Sequence, residues 1–323
     1  MPIITADYNP TLPWFRNRHI ATIYPSRFRK VALSRPLHRH RLDTHDGDFI
    51  DLDLSTHQHP RIAIILHGFE GSTRSMYVQG AARNLMNHHW DIAAFNYRGC
   101  SGEPNRTSRA YHAGEYEDLA WVIDQVQEWR DYKEIAIVGY SLGGNVLLNY
   151  LARHSELPSQ VIAGVAISTP IDLQGAVNQL LLPENAIYER TFYRKIIRKM
   201  KEKQRTFPDL LPYPDIFGAR NIDEIDEIYT APFHGFGNAS LYRKQCSALF
   251  FLDQLRRPTL LLNAQDDPFL TPSNFPYTIA STTSTLSLLT PRYGGHCGFW
   301  MQGGVYYHEI KTSWFLDLHS GLK

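Results

Sequence analysis

The sequence predicts an α/β fold: a mostly parallel central sheet with helices on both faces and a helical cap insertion. Three observations predict it. Apolar runs of strand length alternate with helical stripes, which implies parallel strands joined by crossover helices. The run Arg61–Leu66 is almost continuously apolar, as a strand covered on both faces is. The alternation then breaks once, over residues 171–255, where a helical insertion would overhang the strand ends.

Residues 1–36, rich in Pro, Arg and aromatics, read as an N-terminal arm. Residues 40–54 alternate around Asp46-Gly47-Asp48, a turn signal between two short strands. After Arg61–Leu66 come a helix at 76–87, a strand at 91–97 and a helix at 115–130. That last helix carries Leu119, Val122, Ile123 and Val126 on one stripe. A strand at 134–140, a helix at 146–154 and a strand at 161–168 complete the first part of the core, residues 37–170. The cap, 171–255, contains a basic helix at 190–205 and helix candidates at 221–228 and 240–252. The second part of the core, 256–323, holds strands at 259–263 and 285–289 and a closing helix at 306–318.

Bulk properties narrow the function classes. A formal net charge of +1 provides no global field for nucleic acid, so no nucleic-acid partner is expected. The three cysteines, Cys100, Cys246 and Cys297, are odd in number and widely spaced, which suits a reducing, cytoplasmic location. Pro2, Asp7, Pro10 and Pro13 interrupt any signal-like apolar run, and no stretch has the length of a transmembrane segment. No metal-ligand spacing is present, and no metal or other cofactor is expected. In the basic helix, Phe192, Ile196 and Met200 recur at helical spacing with Arg194, Lys195, Arg198 and Lys199 between them. The favoured reading is a solvated cap face with its apolar stripe packed inward. Contact with an anionic substrate, or weak contact with anionic lipid at a membrane surface, is the other reading.

The chemistry centres on Gly139-Tyr140-Ser141-Leu142-Gly143, a G-x-S-x-G between an apolar strand and a helix. In that context the serine is a nucleophile candidate held at the carboxyl end of a sheet. The competing reading is a serine that merely caps the helix. A serine hydroxyl needs an oriented base and donors for a developing oxyanion. The base candidate is His296, among glycines after the last strand. The acid candidates are Asp266 and Asp267; Asp267 is favoured because it lies further into the loop, beside Pro268. The oxyanion-donor candidates are the N–H groups of Phe69, after His67-Gly68, and of Leu142. His67 itself reads as a supporting hydrogen-bonding residue.

With these residues in view the chain resembles the α/β-hydrolases of the YheT-like branch, bacterial esterases related to mammalian abhydrolase-domain lipid esterases. The resemblance rests on His67-Gly-Phe-Glu-Gly-Ser72, Phe95-Asn-Tyr-Arg-Gly-Cys-Ser-Gly-Glu-Pro104, Asn263-Ala-Gln-Asp-Asp-Pro268 and Gly294-Gly-His296. Arg16-Asn-Arg-His19 and Thr22-Ile23 look like that family's arm. The resemblance implies a charge-relay role for the second aspartate, Asp267, and carboxylic-ester hydrolysis. The expectation is therefore a serine hydrolase acting on a small-molecule ester, with an apolar acyl group suggested by aromatics in the arm and cap. An acyltransferase with the same triad and a non-catalytic ligand-binding protein are the alternatives.

Overall fold

A computed structural model describes residues 2–208 and 214–322. Residues 209–213 of the predicted cap, and the terminal Met1 and Lys323 of the predicted arm and core, lie outside the described residues. Among the described residues nine strands form one sheet: β1 (Ile3–Ile4), β2 (His38–Asp43), β3 (Phe49–Ser55), β4 (Arg61–Leu66), β5 (Asp91–Asn96), β6 (Glu134–Tyr140), β7 (Val161–Ile167), β8 (Thr259–Leu262) and β9 (Leu286–Leu289). Their spatial order is β1-β9-β8-β7-β6-β4-β5-β3-β2. The β2–β3 and β3–β5 pairs are antiparallel and every other pair is parallel.

The period-two alternation of a strand explains both layers of the core. In β4, Ile62, Ile64 and Leu66 face one side, and Ala63 and Ile65 the other. The first side packs on helices α3 (Glu117–Trp129) and α4 (Leu142–Arg153) through Leu119, Val122, Ile123, Val126, Val146 and Leu147. The second side packs on α2 (Met76–Asn87) and the C-terminal helix Tyr307–His319 through Val78, Ala82, Leu85, Phe315 and Leu316. With both faces covered, the strands need no polar alternation, which is why their apolar runs are continuous.

The structure adds elements that periodicity does not announce. The arm holds a helix, α1 (Arg18–Arg27), capped by Asn17, whose side chain accepts from the N–H groups of His19 and Ile20. Its first residues supply β1, paired in parallel with β9. Between β7 and β8 lie α5 (Leu173–Leu180), capped by Asp172, and α6 (Ala186–Thr206), longer than the predicted 190–205. The predicted 221–228 helix is α-helical only over Ile222–Ile225 and then widens into a π turn, Asp226–Thr230. The predicted 240–252 helix is Ala239–Cys246 followed by a 3₁₀ stretch, Ala248–Gln254.

Helix α4 starts at Leu142, four residues before the predicted 146. Gly143-Gly144 look like loop residues by propensity. Their use is close approach: a Cβ on Gly143 would lie 2.6 Å from the His67 carbonyl oxygen and 2.8 Å from that of Leu66. The tight fit draws the start of α4 against the end of β4 and so fixes where Ser141 stands.

Candidate active site

Ser141 joins β6 to α4 with φ 54° and ψ −123°, a conformation that L-residues rarely adopt. The turn is held by the Ser141 N–H donating to the Ile167 carbonyl at 2.9 Å. A Cβ on Gly139 would lie 2.4 Å from the Gly143 carbonyl oxygen, so only glycine allows the turn to close. The Ser141 side chain makes no capping bond to α4. Its Oγ instead lies 2.9 Å from Nε2 of His296.

His296 sits after β9, and its Nδ1 lies 2.9 Å from Oδ2 of Asp267. The other carboxylate oxygen, Oδ1, accepts the Phe269 N–H at 2.9 Å, which fixes the plane of the acid. Burial disfavours the imidazolium, but the neighbouring Asp267 carboxylate outweighs it and holds His296 above its ordinary value of 6.5. Asp266 has a different task. Its Oδ1 accepts the Gly295 N–H at 2.9 Å, bracing the loop that carries His296. Burial raises the Asp266 carboxyl to about 6. The structure thus brings Ser141, His296 and Asp267 into one hydrogen-bonded chain and leaves Asp266 beside it.

Two further residues anchor the histidine loop. The His296 N–H donates to Oγ1 of Thr22 on α1, and the Cys297 N–H to Oγ of Ser168 after β7, at 2.9 and 2.8 Å. Thr22 appears in the arm motif, but nothing in the sequence signals its bond, which spans 274 residues. Thr22→Val keeps the shape and leaves that N–H unpaired. The expected cost is about 1–3 kcal/mol, checked by urea unfolding.

The backbone donors have a similar logic. His67 is wholly buried, and burial lowers its pKa to about 4, so the ring is neutral. Its Nδ1 pairs with the Gly68 carbonyl at 2.7 Å and its Nε2 accepts the Tyr97 N–H at 3.3 Å. This pins the loop after β4. Within it the Gly68 N–H donates to the Tyr77 hydroxyl and the Glu70 N–H to the Tyr111 hydroxyl. The Phe69 N–H between them, like the Leu142 N–H, donates to no group among the described residues. Both residues line cavity wall beside Ser141.

Two cavities meet at Ser141 and His296. One, of about 130 Å³, is strongly apolar and lined by Leu142, Leu173, Ala176, Val177, Phe192 and Ile222 among others. The other, of about 420 Å³, opens between α1 and α6 and includes Thr22, Arg27, Tyr77, Thr191 and Lys195. Among the described residues, no group of three or more His, Cys, Asp or Glu side chains is arranged to hold a metal ion, and no helix is long and apolar enough to cross a membrane.

Known proteins agree with this architecture. The family described as alpha/beta hydrolase fold matches residues 64–301. YheT of Escherichia coli (strain K12), a protein that carries an esterase name, is 35% identical over 94% of this chain and 89% of its own. Monoacylglycerol lipase ABHD2 of Homo sapiens is 23% identical over 96% of this chain and 78% of its own. The structure of the Pyrococcus furiosus esterase Pf2001 aligns with TM-score 0.61 at 15% identity, covering 91% of this chain and 97% of that one, a likeness of fold alone. With the family match spanning well over half of the chain and YheT aligned along nearly all of it, this chain belongs to the α/β-hydrolase fold family, beside the YheT-like proteins.

Proposed function

We propose that the protein is a serine hydrolase that cleaves carboxylic esters through an acyl-enzyme. The observation that carries this reading is the continuous chain Asp267–His296–Ser141, with both links at 2.9 Å. In it Ser141 Oγ attacks the ester carbonyl while His296 Nε2 takes its proton and then gives it to the leaving alcohol. Asp267 holds the Nδ1–H tautomer and stabilises the imidazolium. The N–H groups of Phe69 and Leu142, having no partner among the described residues, receive the oxyanion. One such donor typically contributes about 3–4 kcal/mol to the transition state. Water then repeats the sequence on the acyl-enzyme. The helices of 171–255 act as a cap over the core of 37–170 and 256–323, with 1–36 as the arm that braces the histidine loop. The esterase and lipase names of relatives support an ester as the substrate.

The acyl group occupies the smaller apolar cavity, and the alcohol leaves through the larger one between α1 and α6. The test is a p-nitrophenyl ester series of increasing acyl length, run on the wild type and on Ala176→Trp. The wild type should hydrolyse the series and react with a fluorophosphonate. Ala176 lines the apolar cavity, so the bulky variant should retain acetate hydrolysis and lose about tenfold or more in kcat/KM on longer chains. An unreactive wild type refutes the hydrolase, and an unchanged length profile in the variant refutes the acyl site.

A further inference from the structure

The outer faces of α1 and α6 are unusual in the same place. On α1 and its C-terminal cap, Ile20, Tyr24 and Phe28 recur every four residues on one face. All three are exposed, Phe28 at 67%. On α6, Ile196 and Met200 point inward, but Ile187 at the start of the helix is 61% exposed. Arg190, Arg194 and Arg198 follow on the outer face, also four apart, with Lys195 and Lys201 beside them, all exposed. Among the described residues the ion pair made by α6 is Lys199–Glu70, on its inner side, and those three arginines have none.

The two helices that carry these faces flank the mouth of the larger cavity. Ser26 and Arg27 of α1, and Ile187, Thr191 and Lys195 of α6, both line that cavity and stand exposed, so they form its rim. The two helices are tied there by the Arg18–Glu184 ion pair and by His19 Nδ1 to the Tyr188 hydroxyl at 3.1 Å. The helices that carry the apolar and the cationic stripes therefore border one opening, with Ile187 and Lys195 on its rim.

We propose that this rim docks on an anionic lipid surface, with the opening toward the bilayer. Arg190, Arg194 and Arg198 meet lipid phosphates, while Ile20, Tyr24, Phe28 and Ile187 enter the boundary below the head groups. Such a helix pair lies on a membrane and does not span it, in keeping with the lack of any spanning helix among the described residues. Charge decides between occupants. The net charge of the chain is only +1, so the cations on α6 are a local feature and not part of a general basic surface. A twofold pairing of two copies through this rim would bring the arginines of α6 near one another, an unfavourable arrangement. An anionic surface complements them and gives the apolar stripe a place to go.

The experiment is co-flotation of the full chain with phosphatidylcholine vesicles, with and without phosphatidylglycerol. It needs no turnover, so it stands apart from the ester-cleaving reading. The wild type should bind the phosphatidylglycerol vesicles, weakly on phosphatidylcholine alone, and release at high salt. Each cation at a lipid surface contributes roughly fivefold. The combined Arg190→Glu, Arg194→Glu and Arg198→Glu variant should therefore lose about 100-fold or more in binding. The Ile20→Ser, Phe28→Ser variant should lose binding to both vesicle types. Both variants should keep wild-type fluorophosphonate labelling or, failing that reaction, the wild-type circular dichroism spectrum and unfolding midpoint. Equal binding to both vesicle types, or full binding by the charge-reversed variant, overturns the proposal. So does a wild type that ignores vesicles but forms a concentration-dependent dimer that Phe28→Ser abolishes, because a second copy then covers the stripe.

Discussion

Replacing Ser141 by alanine is expected to lower kcat by about 10⁴–10⁶-fold and to abolish fluorophosphonate labelling, with the far-UV spectrum unchanged. The size follows from the proposed role: without the Oγ there is no acyl-enzyme, and only transition-state binding by the cavity and backbone donors remains. A second substitution separates chemistry from strain. Ser141 stands at φ 54° and ψ −123°, where a non-glycine residue costs about 1–3 kcal/mol. Alanine keeps that strain and loses the bond to His296. Glycine loses the same bond and relieves the strain, against about 0.4–1 kcal/mol of extra freedom in the unfolded chain. Ser141→Gly should therefore be as inactive as Ser141→Ala yet about 1 kcal/mol more stable in urea unfolding. Equal stability of the two variants would remove the strain argument.

The same residue shows what a sequence carries and what it does not. The turn was legible because it needs glycine at two positions and an apolar strand before them. β4 and β6 were legible because burial on both faces leaves no polar residue to break the run. α1 was not. Its cap residue Asn17 is present, but Pro25 lies inside the helix and obscures the periodicity. β1 is two residues long and exists only because β9 offers a free edge, a partner nearly the whole chain away. At the site, Ser141, Asp267 and His296 could be sought at strand ends, because fold topology dictates where such groups stand. Thr22 and Ser168 could not. They act through hydroxyl contacts to the backbone of the His296 loop, and side-chain bonds between distant segments leave no periodic trace. For His67 the sequence indicated only a supporting role, and burial with two backbone partners gives that role its content.

The two adjacent aspartates should separate sharply under the same substitution. Asp267→Asn is expected to reduce kcat by about 10⁴-fold, because an amide can donate to Nδ1 and favour the wrong tautomer. It should also move the pH profile. In the proposed mechanism turnover needs neutral His296, so kcat/KM should rise as pH climbs through the imidazole pKa. Burial lowers that value, but the Asp267 charge overrides it and sets the acid limb above 6.5. With that charge removed, the main influence set against burial is gone, and the limb of the residual activity should move to lower pH. Asp266→Asn should do neither, since an amide oxygen still accepts the Gly295 N–H, and among the described residues Oδ2 of Asp266 has no partner to lose. Its effect should appear in stability. Burial raises the Asp266 carboxyl from 3.8 to about 6, so the native state holds this proton more tightly than the unfolded chain. The charged form therefore burdens the fold increasingly from pH 4 to 6 and fully above 6. Asparagine lifts that burden by on the order of 1–2 kcal/mol after allowance for solvent screening, and the gain should vanish below pH 4. Urea unfolding of wild type and Asp266→Asn at pH 4 and pH 7.5, beside pH–rate profiles of both asparagine variants, checks the whole set. If Asp266→Asn were the inactive variant, the acid in the proposed mechanism would have to change from Asp267 to its neighbour.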